Sequence, residues 1–312
     1  MLSVILPFRN ESMLGFTLTR LRETLRIPHE IIAVDDASDQ PIEIPKGIEP
    51  IRLPQSLGCD QARHKGIEAA RYEAILVLDA HMNFTDDGWA EELVKTISSH
   101  PDHITCCTSV CLSPDDMAMT NEKKLRCGAH LLAKKLYPKS TGAHPAFLKR
   151  VLEPVWNKTI KPGPVGCILG ATYGFSRSWY LDQLRGPWQS LYGFGCSEAL
   201  LSISNYLMGG TNVALPIKIG HMYRNLQGYP APYLVDTVHI VFNQLYLLNT
   251  VVQDSKEREA LTQHLDIETS LNEEDQATLS QLLESSDYQN YRDYLIEKGS
   301  KTWNDYQQEW MS

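Results

Sequence analysis

The 312-residue sequence predicts an α/β fold with a mostly parallel central sheet, followed by a helical region. Three observations carry this. The first hundred residues alternate short apolar, β-branched runs with stretches of helical spacing. Two of the four runs end in acids, Val34 running into Asp35-Asp36 and Leu78 into Asp79, and in such sheets ligands bind outside the carboxyl ends of the strands. From about residue 235 onward the chain reads as helices.

Taken in order, residues 2–7 form a first strand and 13–25 a helix, with Glu11 and Ser12 suited to its start. Residues 30–34 form a second strand, ended by Asp35, Asp36 and the turn residues Ala37-Ser38-Asp39. A third, peripheral strand covers 48–53, a helix 60–71, a fourth strand 74–78 and another helix 89–98. Strands joined by helices pair in parallel and are covered on both faces, so each reads as a continuous apolar run. Residues 112–165 are rich in Pro and Lys with weak periodicity and read as a loop-rich insertion. Order returns at 166–176 and in a helix near 198–207, stopped by Gly209-Gly210. A strand over 213–219 leads into Gly220-His221, and a helix over 238–252 precedes an acidic tail. The expected division is 1–235, with halves 1–100 and 101–235, and a helical extension over 236–312.

Hydrophobic residues make up 43% and charged residues 21%, an ordinary globular balance. No run of about eighteen apolar residues occurs, so no membrane span is expected. The opening MLSVILPFRNES lacks the layout of a signal peptide and reads as a strand, so the expected location is cytoplasmic. Cys59, Cys106, Cys107, Cys111, Cys127, Cys167 and Cys196 lack C-x-x-C spacing and read as free thiols, not a zinc or disulfide framework. The net charge of -9 is uneven: from residue 254 on there are fourteen acids against five bases. Residues 120–161 instead carry ten Lys/Arg against Glu122 and Glu153.

Asp79-Ala80-His81 stands where the fourth strand runs out. Side chains at i and i+2 of a strand share a face, so Asp79 and His81 can grip one ion. His221 is the candidate third ligand. A carboxylate with imidazoles suits Mn²⁺ or another first-row divalent ion better than Ca²⁺. The plain alternatives are a satisfied structural histidine and a helix-capping aspartate, and His100, His103, His130 and His144 take the structural reading.

The pieces SVILPFRNES, EIIAVDDASD, SLGCDQARHKGIEAA, ILVLDAHMNFTDDGW, the Gly170-Ala171 turn, GFGCSEALLSISNYLMGG and GHMYRN occur in one order. Together they resemble the family-two glycosyltransferases of GT-A fold, and within them the catalytic domain of the polypeptide N-acetylgalactosaminyltransferases, over roughly residues 2–235. The resemblance implies a UDP-sugar donor and a divalent metal, Mn²⁺ foremost, held by Asp79, His81 and His221. It also implies that Pro7, Phe8 and Arg9 line a uridine pocket and that Asp36 meets the base or ribose. Gly58 and Arg63 match a stretch beside the nucleotide, Gly170 and Phe194 fall to the same donor site, and Arg224 would touch the diphosphate. The segment 225–233 beside Arg224, with Tyr223, Tyr229 and Tyr233, would close over the donor. Where these relatives have W-G-G-E-N-L-E, this sequence has Phe194-Gly195-Cys196-Ser197-Glu198-Ala199-Leu200. Ser197 replaces the expected acid, and Glu198 falls where inverting family-two enzymes hold a general base, which puts retaining stereochemistry in question. Glu198 as a helix N-terminal acid is the alternative. No stretch resembles the relatives' lectin domain or membrane anchor; Tyr288, Tyr291, Tyr294, Trp303, Tyr306 and Trp310 of the tail are expected to dock on the body of the domain.

The fold leaves the acceptor hydroxyl open among protein Ser/Thr, a glycan and a hydroxymethylated DNA base. The basic segment 120–161, with Tyr137, Phe147 and Trp156 interleaved, would suit DNA and a phage-type or bacterial base-modifying enzyme, or it is a solvated loop near donor phosphates. A catalytically inactive nucleotide-sugar-binding protein is the non-enzymatic alternative.

Overall fold

The structure is a computed structural model that describes residues 1–85, 88–113, 115–119, 125–136, 149–157, 161–224, 235–265 and 267–311. Its first half runs β1 (Leu2–Phe8), α1 (Leu14–Thr24), β2 (His29–Asp35), β3 (Ile51–Arg52), α2 (Cys59–Ala69), β4 (Ala74–Leu78), β5 (Met82–Asn83), α3 (Trp89–Ser99) and β6 (His103–Cys111). Next come β7 (Ala129–Leu136), β8 (Lys149–Trp156), β9 (Gly163–Pro164), β10 (Thr172–Ser176), α4 (Ser197–Leu207) and β11 (Thr211–His221). The chain closes with helices α5 (Thr237–Val251), α6 (Ser255–His264), α7 (Ile267–Ser270), α8 (Glu273–Ser285), α9 (Tyr288–Lys298) and α10 (Trp303–Trp310).

Among the described residues the main sheet has the order β3-β2-β1-β4-β10-β6-β11-β5, with β9 also on β11. β2, β1 and β4 are parallel, and β6 and β11 are parallel to one another. β10 runs against both β4 and β6, so the sheet is mixed at its centre. Every residue of β1 and β4 is buried, which is why both read as unbroken apolar runs. Their side chains divide by face. Leu2, Val4, Leu6, Leu76 and Leu78 pack with α1 and α3, whereas Ile5, Ile75 and Val77 join α2, α4, α5 and the C-terminal helices.

Several sequence expectations need correction. Residues 112–165 are not simply loop: β7 and β8 form an antiparallel hairpin, which the lysines and alanines of AHLLAKKL disguise as helical or coil composition. β6 went unassigned although it carries Ile104, Thr105, Thr108 and Val110, and it fills the gap between β10 and β11. The third strand shrinks to two exposed residues at the sheet edge, where only β2 supplies pairing. None of the seven cysteines forms a disulfide, and six of them are buried. No helix among the described residues is long and apolar enough to cross a membrane.

Candidate metal centre and donor site

β1, β2, β4, β6 and β11 all point their carboxyl ends to one edge of the sheet, so Arg9, Asp36, Asp79 and His221 gather there. β4 stops at Leu78, and residues 80–81 bend instead of continuing the strand. Strand alternation therefore does not set the Asp79–His81 geometry. The bend does, fixed by Thr17 of α1, whose Oγ1 donates to the Ala80 carbonyl (3.0 Å) and accepts the Met82 N–H (2.9 Å). β5 then pairs antiparallel with the end of β11, His221 opposite Met82, and Met222 N–H donates to the His81 carbonyl at 3.2 Å.

This folding-back brings one ligand atom each from Asp79, His81 and His221 within 4.8 Å of one another. His81 Nε2 and His221 Nε2 lie 3.2 Å apart, and His221 Nε2 is 3.4 Å from Asp79 Oδ2. Two donors each about 2.1 Å from one ion lie roughly 3.0–3.4 Å apart in octahedral or tetrahedral geometry, so the trio fits a single divalent ion. The protonation states fit too. Burial pushes the His221 pKa down and favours neutral imidazole. Burial works the other way on Asp79, but the His221 hydrogen bond and the Arg63 guanidinium hold its carboxyl well below the ordinary range. Neutral imidazole and ionised carboxylate are the ligating forms.

Behind these three side chains stands a buried charge network. Arg63 of α2, 6% exposed, donates to Asp79 Oδ1 (3.1 Å) and Asp60 Oδ1 (2.8 Å), and its guanidinium lies over the rings of Tyr173 (4.9 Å) and Trp188 (5.5 Å). Ser197 donates to Asp60 Oδ2 at 2.7 Å. Glu198, in the first turn of α4, accepts from the Tyr173 hydroxyl at 2.8 Å. A Cβ on Gly170 would lie 2.4 Å from Glu198 Oε1, so the glycine leaves room for this carboxyl. Burial raises the Glu198 pKa, with Arg63 pulling against it. On the other side, buried Glu11 pairs with His81 Nδ1 (3.1 Å) and with the Arg224 guanidinium.

Pro7 and Phe8 are buried at the end of β1, and Arg9 reaches Asp39 at 3.5 Å. Asp36 spends both carboxylate oxygens on the turn 56–58, accepting from Ser56 Oγ, Leu57 N–H and Gly58 N–H at 2.7–3.0 Å. Gly58 (φ 96°) meets Gly193 backbone to backbone. Half-buried Phe194 is held through its carbonyl by Asn243 of α5, which also grips the carbonyls of Tyr192 and Gly195. Tyr223 and His221 meet ring to ring in a T-shaped contact with centroids 4.6 Å apart, and Tyr223 meets Trp156 at 5.1 Å. Segment 225–233, with Tyr229 and Tyr233, lies outside the described residues, as do Lys123, Lys124, Tyr137, Lys139, Phe147 and Lys158 of the basic segment. Within that segment Arg150 is 2% exposed and paired with Glu153, while Lys134 and Lys161 are exposed. Sequence reasoning assigned no site role to Glu11, Tyr173 or Asn243. An acid three residues past the end of an apolar strand was the available signal for Glu11.

Residues 3–150 match the family described as glycosyl transferase family 2. Among curated proteins, the putative inactive polypeptide N-acetylgalactosaminyltransferase 12 of Drosophila melanogaster is 24% identical over 250 residues, 73% of this chain and 42% of that one. N-acetylgalactosaminyltransferase 6 of the same organism is 26% identical over 302 residues, 86% of this chain and 43% of that one. The chain thus spans less than half the length of these relatives. The crystal structure of GalNAc-T7 with UDP, GalNAc and Mn²⁺ superposes with a TM-score of 0.69 at 17% identity, over 99% of this chain and 56% of that one. This likeness establishes the fold, GT-A with a helical C-terminal region.

Proposed function

We propose that this chain, whose residues 3–150 match the glycosyl transferase family 2 model, is a metal-dependent glycosyltransferase moving a sugar from a UDP-sugar to a hydroxyl acceptor. One observation carries the reading: Asp79, His81 and His221 converge at the sheet edge with one ligand atom each within 4.8 Å of one another, and Arg224 is joined to them through Glu11. One relative is named inactive and another a transferase, so the case for turnover rests on this chain's own side chains.

In this reading Asp79, His81 and His221 would hold a divalent ion, Mn²⁺ foremost, which would supply positive charge against the charge that grows on a departing diphosphate. Arg63 keeps Asp79 Oδ1 occupied, so Oδ2 is the oxygen turned toward His221. Arg224 lies on the side where the diphosphate would sit and adds a second positive charge there. Pro7, Phe8 and Arg9, with Asp36 and Gly58 shaping the turn 56–58, form the nucleoside side. Gly170 and Phe194 flank the sugar side. Glu198 takes the acceptor proton as the acceptor oxygen bonds to the anomeric carbon and the carbon–oxygen bond to UDP breaks. Residues 1–235 act as the transferase domain, and 236–312 brace it.

The test combines Mn²⁺, a panel of UDP-sugars and a UDP-release assay with calorimetry of UDP binding. Turnover with at least one sugar and Mn²⁺-dependent UDP binding are expected. Absence of both removes the reading. His221→Ala should abolish the metal-dependent part of UDP binding, and unchanged affinity in that variant would disprove its ligand role.

A further inference from the structure

Glu11 has a position that the transferase chemistry itself does not require. It follows β1 in a turn where Asn10 adopts φ 51°, and it is only 4% exposed between half-buried Asn10 and exposed Ser12. Burying a carboxylate is costly unless its oxygens are engaged, and here both are. Oε1 accepts the Met13 N–H at 3.0 Å. Oε2 accepts from His81 Nδ1 at 3.1 Å and from Arg224 Nη2. A helix-start acid would need only the first of these contacts, and a partner for Arg224 only the last. The same oxygen is instead shared between an arginine and the ring of a metal-ligand candidate.

We propose that Glu11 is a positioning residue for the metal centre, fixing His81 with its proton on Nδ1 and its Nε2 lone pair toward Asp79 and His221, while anchoring Arg224 beside it. The inference rests on the metal-site reading above. An imidazole whose far nitrogen donates to a carboxylate is locked in tautomer and ring plane, and loss of such a partner typically weakens metal affinity about 10–100-fold. The centre is then braced from two sides. Arg63 holds Asp79 from α2, and Glu11 holds His81 from the β1 turn. Because one Glu11 oxygen also binds Arg224, the metal ligands and the diphosphate-facing cation share a single support.

The experiment measures Mn²⁺ affinity by calorimetry on the full chain without nucleotide sugar, and reads the His81 tautomer from long-range ¹H–¹⁵N spectra of the metal-free protein. His81→Ala provides the resonance assignment, and His221→Ala serves as the ligand control. Wild type should show the Nδ1–H tautomer. Glu11→Ala should weaken Mn²⁺ binding about 10–100-fold and move His81 toward a tautomer mixture. Glu11→Gln keeps an acceptor for Nδ1–H without the charge, so it should preserve the tautomer and give an affinity between wild type and Glu11→Ala. Affinity within about twofold of wild type in Glu11→Ala, or an unchanged tautomer there, overturns the proposal. If Glu11→Ala does not fold, Glu11→Gln decides, with wild-type affinity as the overturning result. Failure of wild type itself to bind Mn²⁺ would count against the metal-site reading. Wild-type binding that His221→Ala destroys and the Glu11 variants spare would count against Glu11 alone.

Discussion

Glu198 and its neighbours show how one side chain can be tuned against the fold that holds it. Its carboxyl sits against Gly170 and takes the Tyr173 hydroxyl, and burial raises its pKa above the usual value of about 4.3. In the proposed role of general base Glu198 must be ionised, so kcat/KM should rise with pH through an acid limb above the ordinary glutamate range. Glu198→Gln should remove that limb and cut kcat about 10²–10⁴-fold. The stability effect has the opposite sign. A carboxyl with a raised folded pKa favours folding most below its unfolded pKa, and that advantage is lost as pH rises through the folded value. At neutral pH the ionised Glu198 therefore costs stability, and Glu198→Gln should melt higher than wild type, by about 2–4 °C for each kcal/mol recovered. A variant that is both less active and less stable would contradict this account; thermal melts beside the pH–rate profile decide it.

At the scale of elements, the site is assembled by turns held in unusual backbone states. Asn10, Ala37, Ala171 and Cys196 adopt positive φ, and they adjoin Glu11, Asp36, Gly170 and Ser197 respectively. Such strain persists only where surrounding contacts enforce it. Ala171 supplies one, its carbonyl accepting the Asp79 N–H at 3.1 Å. Gly58 and Gly193 supply another: Cys59 N–H donates to the Gly193 carbonyl and Gly193 N–H to the Leu57 carbonyl, both at 3.2 Å. A Cβ on residue 58 would lie 2.4 Å from Gly193 backbone atoms, at a φ of 96° that strains any L side chain. Gly58→Ala should therefore cost at least about 1–3 kcal/mol and separate the turn 56–58 from the loop that leads to Glu198. Denaturant midpoints should fall and UDP binding weaken together. Wild-type values for both would show that the contact is dispensable.

For the whole molecule, the C-terminal helices belong to the same core as the sheet. α5 is buried along most of its length and packs on α4, α8 and α9. Tyr306 of α10 is fully buried and donates to the Gly166 carbonyl at 2.7 Å, while Trp310 covers Gly166 and Glu309 accepts from the Tyr206 hydroxyl. The tail aromatics thus dock on the domain body, as their spacing implies. Because Gly166 begins the stretch that reaches Gly170 and Ala171, α10 supports the site from a distance. Tyr306→Ala should destabilise the protein by about 3–5 kcal/mol and lower UDP affinity. A full loss of stability with unchanged UDP binding at low temperature would show that the support is purely structural.

The sequence by itself determined the α/β class, the strands β1, β2 and β4, the helices packed on them, and the residues Asp79, His81 and His221 that come together. Those features are local: apolar runs, caps and short motifs are written in neighbouring residues. Only the tertiary structure decided that β10 runs against its neighbours, that residues 129–156 form a hairpin, and that a bend with the β5–β11 pairing brings His81 to His221. It also decided what stands behind those three side chains. Glu11 meets His81 across 70 positions and Arg224 across 213. Pairings of that separation depend on which strand edges meet, and no periodicity in the sequence encodes them.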